Sequence, residues 1–338
     1  MKAGFIRLWL PVALLMGALG VAGCAEDRPE WKETVRKCTC PEPERDSITG
    51  ELPPWAGIRG ALLATRFASL EEFKKAVRVR YGADWESPDS LRNTMVLLAH
   101  CSGGTEVTSV LSSGVSQADI QAAKDGGVPD RIAMTMGASD VVAYRKDLER
   151  VLTLARRVPL EYGEGDPAFF DLGEASVRNI CTIDLAFHTS ADSSEKGYLN
   201  TFNHMTAQAF ITTLFSEDLA DLVADLHERK NMPALTTGSF TSGQLSDVNN
   251  NPVDNYVDMI NNEWGQQLGH ALRDEFEIQS ETTWTPELLA QYLNRLQEYY
   301  EWAFRIGMMP FRVQDPLVIR FANKLNVVLQ EVSRIPAG

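Results

Sequence analysis

The chain is short of positive charge. Its 32 lysines and arginines face 46 aspartates and glutamates, a formal net charge of −14. A surface that acidic repels phosphate backbones and anionic headgroups, which sets nucleic-acid binding aside. Histidine and cysteine are scarce, five of each, so every one can be weighed singly. There is no internal repeat, no low-complexity tract and no alternation of strand and helix signals, which removes solenoids and doubly wound sheets. No tight metal motif of the H-E-x-x-H kind occurs either. What is present is 44% hydrophobic content over 338 residues, enough for a sizeable core.

The one long apolar run stands at the start, MKAGFIRLWLPVALLMGALGVAGC. Lys2 and Arg7 give a positive beginning, Leu8 to Val21 the apolar stretch, and small residues follow, the pattern of an export signal. The run is too short for a good membrane-spanning helix. Its end, Val21-Ala22-Gly23-Cys24, resembles the lipobox of bacterial lipoproteins. The resemblance implies removal of residues 1–23, acylation of Cys24, and a membrane partner held through several acyl chains. Ala25 follows the cysteine, and by that family's sorting pattern the address is the outer membrane. Removing 1–23 takes away two basic residues and no acid, leaving 30 against 46, a net −16.

With Cys24 lipidated, Cys38, Cys40, Cys101 and Cys181 remain. An even number in an oxidising compartment predicts two disulfides. Cys38 and Cys40 flank a single residue, so each is expected to reach a distant partner, Cys101 or Cys181, in an order left open. The other reading of Cys101, a nucleophile in HCSGG, has only an adjacent His in sequence to support it.

The expected fold is mostly α, an irregular multi-helix bundle behind an extended tether, residues 24–56. A helical region follows over 57–158, with Ser69 capping a helix that runs to Gly82, a second helical signal in SPDSLRNTMVLLAH, and one long periodic run across Pro129–Val158. Thr105–Leu111 reads as a short strand. The turn-rich 159–174 is the candidate boundary. Beyond it, 175–338 reads as a helical domain, with Thr285 and Pro286 opening its penultimate helix.

One helix of that domain is unusual. On a wheel, Val257, Ile260, Trp264, Leu268 and Ala271 form a core face, while Glu263, Gln266, Gln267, His270 and Arg273 read as solvent-facing. A third arc carries Asp258, Asn261, Asn262, Gly265 and Gly269. Glycine inside a helix costs about 1 kcal/mol relative to alanine, so Gly265 and Gly269 predict the close approach of another helix. Asp and Asn beside them predict specific hydrogen bonding. The expected neighbour is Asn200–Phe215, which carries His204 on an otherwise apolar helix. In the next helix, opened by Ser216, His227 lies on the margin of the core stripe and Glu228 reads as solvated. The loop DVNNNPVDNYVD places oxygen side chains at positions 1, 3, 5, 8, 9 and 12. Pro252 stands where a calcium loop needs glycine, so an asparagine-rich helix cap is the better reading.

His204, then His227-Glu228, then Asp258-x-x-Asn261-Asn262-x-x-Gly265 resembles an uncharacterised helical domain of bacterial secreted proteins and toxins. Asn203 stands where that family carries arginine. The resemblance implies a fold and a site position. Two readings follow. In one, His204 and the Asp-Asn-Asn stripe are a satisfied polar network in an envelope protein that binds or scaffolds. In the other, His204, His227, Asp258, Asn261 and Asn262 form a hydrolytic site on envelope material such as phospholipid or cell wall. There a His–Asp dyad activates water, or His204, His227 and Asp258 hold zinc. The lipobox reading predicts that Cys24→Ser releases the protein from membranes and abolishes palmitate labelling; a variant that still fractionates with membranes and takes up label contradicts it.

Overall fold

The computed structural model describes residues 36–37, 45, 47–51, 59–82, 94–127, 134 and 139–330. Apart from Arg36, these belong to one compact unit, 37–338. The expected signal, Cys24, Cys38, Cys40 and most of the 24–56 tether lie outside the described residues.

The chain is mostly helical. Its longer helices are α1 (Leu70–Ala76), α2 (Gln117–Asp125), α3 (Arg145–Leu154), α4 (Phe169–Asn179), α5 (Asn200–Leu214), α6 (Glu217–Asn231), α7 (Pro252–Glu275), α8 (Pro286–Phe304) and α9 (Pro316–Gln330). Local chemistry sets several starts. Ser69, Ser216 and Thr285 each accept the backbone N–H three residues on, and Asn251 does the same ahead of Pro252. The asparagine-rich loop is therefore a helix cap. Asp247 Oδ1 accepts the N–H groups of Asn249 and Asn250, closing the turn before it.

The region 57–158 holds the strand expected at Thr105–Leu111 and more strand beside it than was expected. Strands β1 (Arg36–Lys37), β2 (Arg78–Tyr81), β3 (Met95–Ser102) and β4 (Thr105–Ser112) form a sheet in the order β1-β4-β3-β2. β2 and β4 each pair antiparallel with β3. Gly103 and Gly104, at φ +61° and +82°, make the two-residue hairpin turn that needs positive φ at both positions. The helix capped by Ser69 stops at Ala76 because RVRY alternates half-buried and exposed, the period of a strand. MVLLA is an unbroken apolar run that a central strand buries on both faces, and such a run has no period to distinguish it from a helix. The periodic stretch in 129–158 also breaks. Within the described residues it is Ser139–Ala143 and α3, parted at Tyr144 (φ −91°, ψ 5°).

The boundary expected at 159–174 is interior to a single core, which runs from Ala61 to Val328 across both halves. Lys324 of α9 reaches into that segment. Its ammonium donates to Asp166 Oδ2 at 2.8 Å and to the carbonyls of Arg156 and Pro167 at 2.7 Å each, and both charged side chains are 1% exposed. Phe169 packs on Phe210 and Phe321. The cysteine expectation is corrected in half: Cys101 is disulfide-bonded, as expected, whereas Cys181 is an exposed free thiol.

α7 is the axis of the fold. Part of its expected solvent arc is covered: Gln266 is 1% exposed and bonds Gln208 of α5, and Glu263 bonds Ser109 of β4, while the His270 side chain is 44% exposed; Trp264, on the core face, donates from Nε1 to His100 Nδ1 of β3 at 3.2 Å. Its polar arc meets α5 turn by turn. Asn200 pairs with Asp258, His204 with Asn262 and Gln208 with Gln266, at 2.8, 3.0 and 3.1 Å. The offset is 58 residues each time, so the two helices run parallel. A Cβ on Gly265 would meet Met205 O and Gln208 Cβ at 2.9 Å; one on Gly269 would meet Ala209 O at 2.6 Å and Thr212 Cβ at 2.8 Å. Gly269→Ala is therefore expected to destabilise by roughly 1–3 kcal/mol in chemical denaturation, against the usual helix gain from alanine. Gly243→Ala, which meets only Thr241 Oγ1 at 3.9 Å, serves as the neutral control. Equal stabilities for the two variants contradict the packing assigned to Gly269.

Candidate functional site

Three helices deliver the site. α5 and α7 begin side by side, which places Asn200 and His204 next to Asp254 and Asp258. α6 runs back along them: Glu217 meets His270 at 3.1 Å at one end, and Glu228 arrives beside His204 and Asp258 at the other. The candidate ligand atoms of His204, Glu228 and Asp258 all lie within 4.8 Å of one another.

His204 is held at both ring nitrogens. Nδ1 is 3.0 Å from Asn262 Oδ1, and Nε2 is 3.4 Å from Asp258 Oδ2. With Nδ1–H donating to the amide oxygen, a neutral ring turns the Nε2 lone pair toward a carboxylate oxygen. Two lone pairs facing each other repel, and a proton or a cation between them relieves it. Histidines that bind metals are held in this way, the far ring nitrogen donating to a carbonyl or carboxylate.

The carboxylates are not equally provided for. Asp254 has Lys196 Nζ at 2.6 Å and Asn200 Nδ2 at 3.3 Å. Asp258 receives the same amide at 2.8 Å. Asp254 stands in the first turn of α7, where the helix dipole favours an anion, and Asp258 one turn further on. Even so, burial and the Asp254 charge push the Asp258 carboxyl well above its ordinary range. Glu228 has none of this help. It is 1% exposed and both of its oxygens are buried without a hydrogen-bond partner. It sits in the last turn of α6, where the dipole disfavours an anion. Burial first, then the Asp258 charge, raise its pKa well above the carboxylate norm. A buried polar side chain missing every partner is uncommon in a folded protein.

Lys196 owes its position to a π-turn, Glu195–Leu199, that precedes α5. Gly197 within it presses on the backbone of Asp192, where a Cβ would fall 2.1 Å from the carbonyl oxygen. Asp192 is itself fully buried, paired with Arg66 at 3.2 Å and accepting the backbone N–H groups of His188 and Thr189. The loop ahead of the site is thus anchored from beneath.

Of the residues singled out in sequence, His204, Asp258 and Asn262 meet here. His227 is adjacent, its ring 5.8 Å from that of His204 and edge-on to it. Burial, then the neighbouring His204, lower its pKa to about 4, so at neutral pH it is an uncharged imidazole. The three groups that converge with metal-ligand spacing include Glu228, not His227. Asn261 belongs elsewhere: it accepts from Leu62 N at 2.7 Å and donates to Leu62 O at 2.9 Å, tying the segment before α1 to α7. Glu228, Asp254, Lys196 and Asn200 are additions. Glu228 lies away from the leucine stripe of α6, which predicts solvation, but the turn carrying it is covered by α5 and α7 as well. His100 is also buried, with its pKa lowered to about 4 by burial, but it pairs with Trp264 under the sheet, away from this cluster.

No protein-family model matches the chain, and neither a curated protein nor a solved structure matches it.

Proposed function

We propose that the protein is an exported, lipid-anchored envelope protein, held in the outer membrane through Cys24, whose helical domain binds a divalent cation between His204, Glu228 and Asp258. The observation that carries the cation reading is Glu228, a buried carboxylate with no partner on either oxygen, aimed at a histidine and a second carboxylate. Charge balance favours a divalent ion. Lys196 already answers Asp254, so two carboxylates remain, and one ion of charge two neutralises both. A buried charge is retained where it is paired or coordinates a metal.

One imidazole nitrogen with carboxylate oxygens is a mixed donor set. Imidazole suits zinc, iron and nickel, whereas magnesium and calcium prefer oxygen alone. Zinc is the first ion to test, manganese the second. Asn262, bonded to Nδ1 of His204, and Asn200, bonded to Asp258, fix the orientation of two ligands.

The test uses the full chain, stripped with chelator and then titrated with zinc, manganese, calcium and magnesium. One equivalent of zinc or manganese is expected to bind and to raise thermal stability, by about 2.7 kcal/mol when free ion stands at 100 times Kd. Glu228→Gln removes the uncompensated acid. It is expected to leave the metal-free protein as stable as the parent or more so, while abolishing the ion-dependent gain. No ion-dependent gain in the parent contradicts the reading. So does a Glu228→Gln variant that is strongly destabilised when metal-free, the signature of a broken polar network.

A further inference from the structure

In a chain with 46 acids an arginine has no shortage of partners, and Arg157, Arg178, Arg229 and Arg295 each hold one. Among the described residues, Arg59, Arg305 and Arg312 are exposed and pair with no acid. They share one end of the molecule, where α8 stops. Arg59 N donates to Ala303 O at 2.9 Å, Arg305 closes α8 in the left-handed region at φ +54°, and Arg312 follows in the same loop.

Large apolar side chains stand exposed beside them. Trp302, in the last turn of α8, is 43% exposed and Met309 is 51% exposed. Ile183 and Leu185, on the short helix Ile183–Ala186, reach 66% and 52%. Backbone pairing joins these residues into one face. Ile180 forms an antiparallel bridge with Met308, Met309 N donates to Asn179 O at 2.7 Å, and Cys181 N donates to Gly307 O at 2.8 Å. Met308 N also donates to Glu301 Oε1 at 2.7 Å, which folds the loop back against the turn that carries Trp302. Glu301 is thereby used, and exposed Asp184 is left to oppose the arginines. Tryptophan settles at the headgroup level of a bilayer, aliphatic side chains just beneath it, and arginine answers anionic headgroups. The net charge of −14 opposes such contact for the chain as a whole, so a local excess of arginine decides which face can approach.

The chain that would carry the acyl group enters at this same end. Gly60 N donates to Ser102 Oγ at the end of β3, and a Cβ on Gly60 would meet Trp302 Cζ3 at 3.2 Å. Gly103, in the β3–β4 turn, also lies beside Trp302. Lys37 of β1 belongs to the same sheet and follows Cys24 by thirteen residues, at most about 45 Å of extended chain. An anchored Cys24 therefore leaves this end within reach of the bilayer. Resting on the lipid-anchor reading above, we propose that the face formed by Trp302, Met309, Ile183 and Leu185, with Arg59, Arg305 and Arg312, docks on the lipid surface that holds Cys24. The acyl chains give residence at the membrane, and the face gives the domain a fixed orientation on it.

The experiment places the acylated chain in vesicles of phosphatidylethanolamine and phosphatidylglycerol with brominated acyl chains. Tryptophan quenching is read against unbrominated vesicles, while flotation and palmitate label report the anchor in the same samples. The variants are Trp302→Phe and Met309→Glu, both at exposed positions, with thermal unfolding as the check of fold. The difference between parent and Trp302→Phe is the quenching of Trp302 itself, and it is expected to be strong. In Met309→Glu it is expected to fall severalfold, while the protein floats and melts with the parent. If the parent floats and takes label but is quenched no more than Trp302→Phe, the docking face is wrong and the anchor stands. A dimer in light scattering that Met309→Glu dissociates, with Trp302 unquenched, gives the face to a second copy and overturns the proposal. If the parent neither floats nor takes label, the anchor reading falls and the docking face with it.

Discussion

The close approach of α5 and α7 is the constraint on which the rest depends. Parallel neighbours gain nothing from their dipoles, so the pair is held by what lies between them. Gly265 and Gly269 let backbone reach backbone, and the side chains above them bond across once per turn, Asn200 to Asp258, His204 to Asn262, Gln208 to Gln266. Starting α7 beside the π-turn that leads into α5 also puts the first turn of α7 next to Lys196 and Asn200, which is where Asp254 and Asp258 stand. The same packing that orders the core thus creates an anion-tolerant corner, and α6 then brings a third carboxylate, Glu228, to a place where nothing tolerates it.

How much of this could be read from the chain follows from which forces act locally. Helix starts were legible because capping is a matter of four residues: Ser69, Ser216, Asn251 and Thr285 each bond within one turn. The glycine stripe was legible because two glycines at i and i+4 leave a gap that only a neighbour can fill, and the polar arc told where the neighbour's polar groups had to be. The sheet was not legible in the same way. Thr105–Leu111 looks like a strand by itself, but MVLLA is apolar throughout, and its partners Arg78–Tyr81 and Thr105–Ser112 lie on either side in sequence without a long-range signal that pairs them.

Without the sheet, Glu263 of α7 has nothing in sequence to cover it and looks solvent-facing; β4 lies there, with Ser109 as its polar partner, and Gln266 is covered by Gln208 of α5. Glu228 failed for a related reason. A wheel ranks faces by their own residues, and a glutamate next to charged Arg229 and Lys230 looks exposed until the helices that cover that turn are known. His204 and Asp258, by contrast, stood out because polar groups on apolar or glycine-bearing faces have to be answered. Asn261 stood out equally and was answered by the backbone of Leu62, a purely structural role. Spacing marked the stripe; only the fold separates the member that holds the chain from those that face the cluster.

A cation in the space between Glu228, Asp258 and His204 would answer the uncompensated carboxylates there. Crystals of the full chain soaked in zinc and measured on both sides of the zinc absorption edge test this directly. One anomalous peak is expected, bounded by His204 Nε2 and oxygens of Glu228 and Asp258, and absent from crystals of Glu228→Gln. Well-ordered density for all three side chains with no peak among them, or a peak that persists in Glu228→Gln, contradicts it.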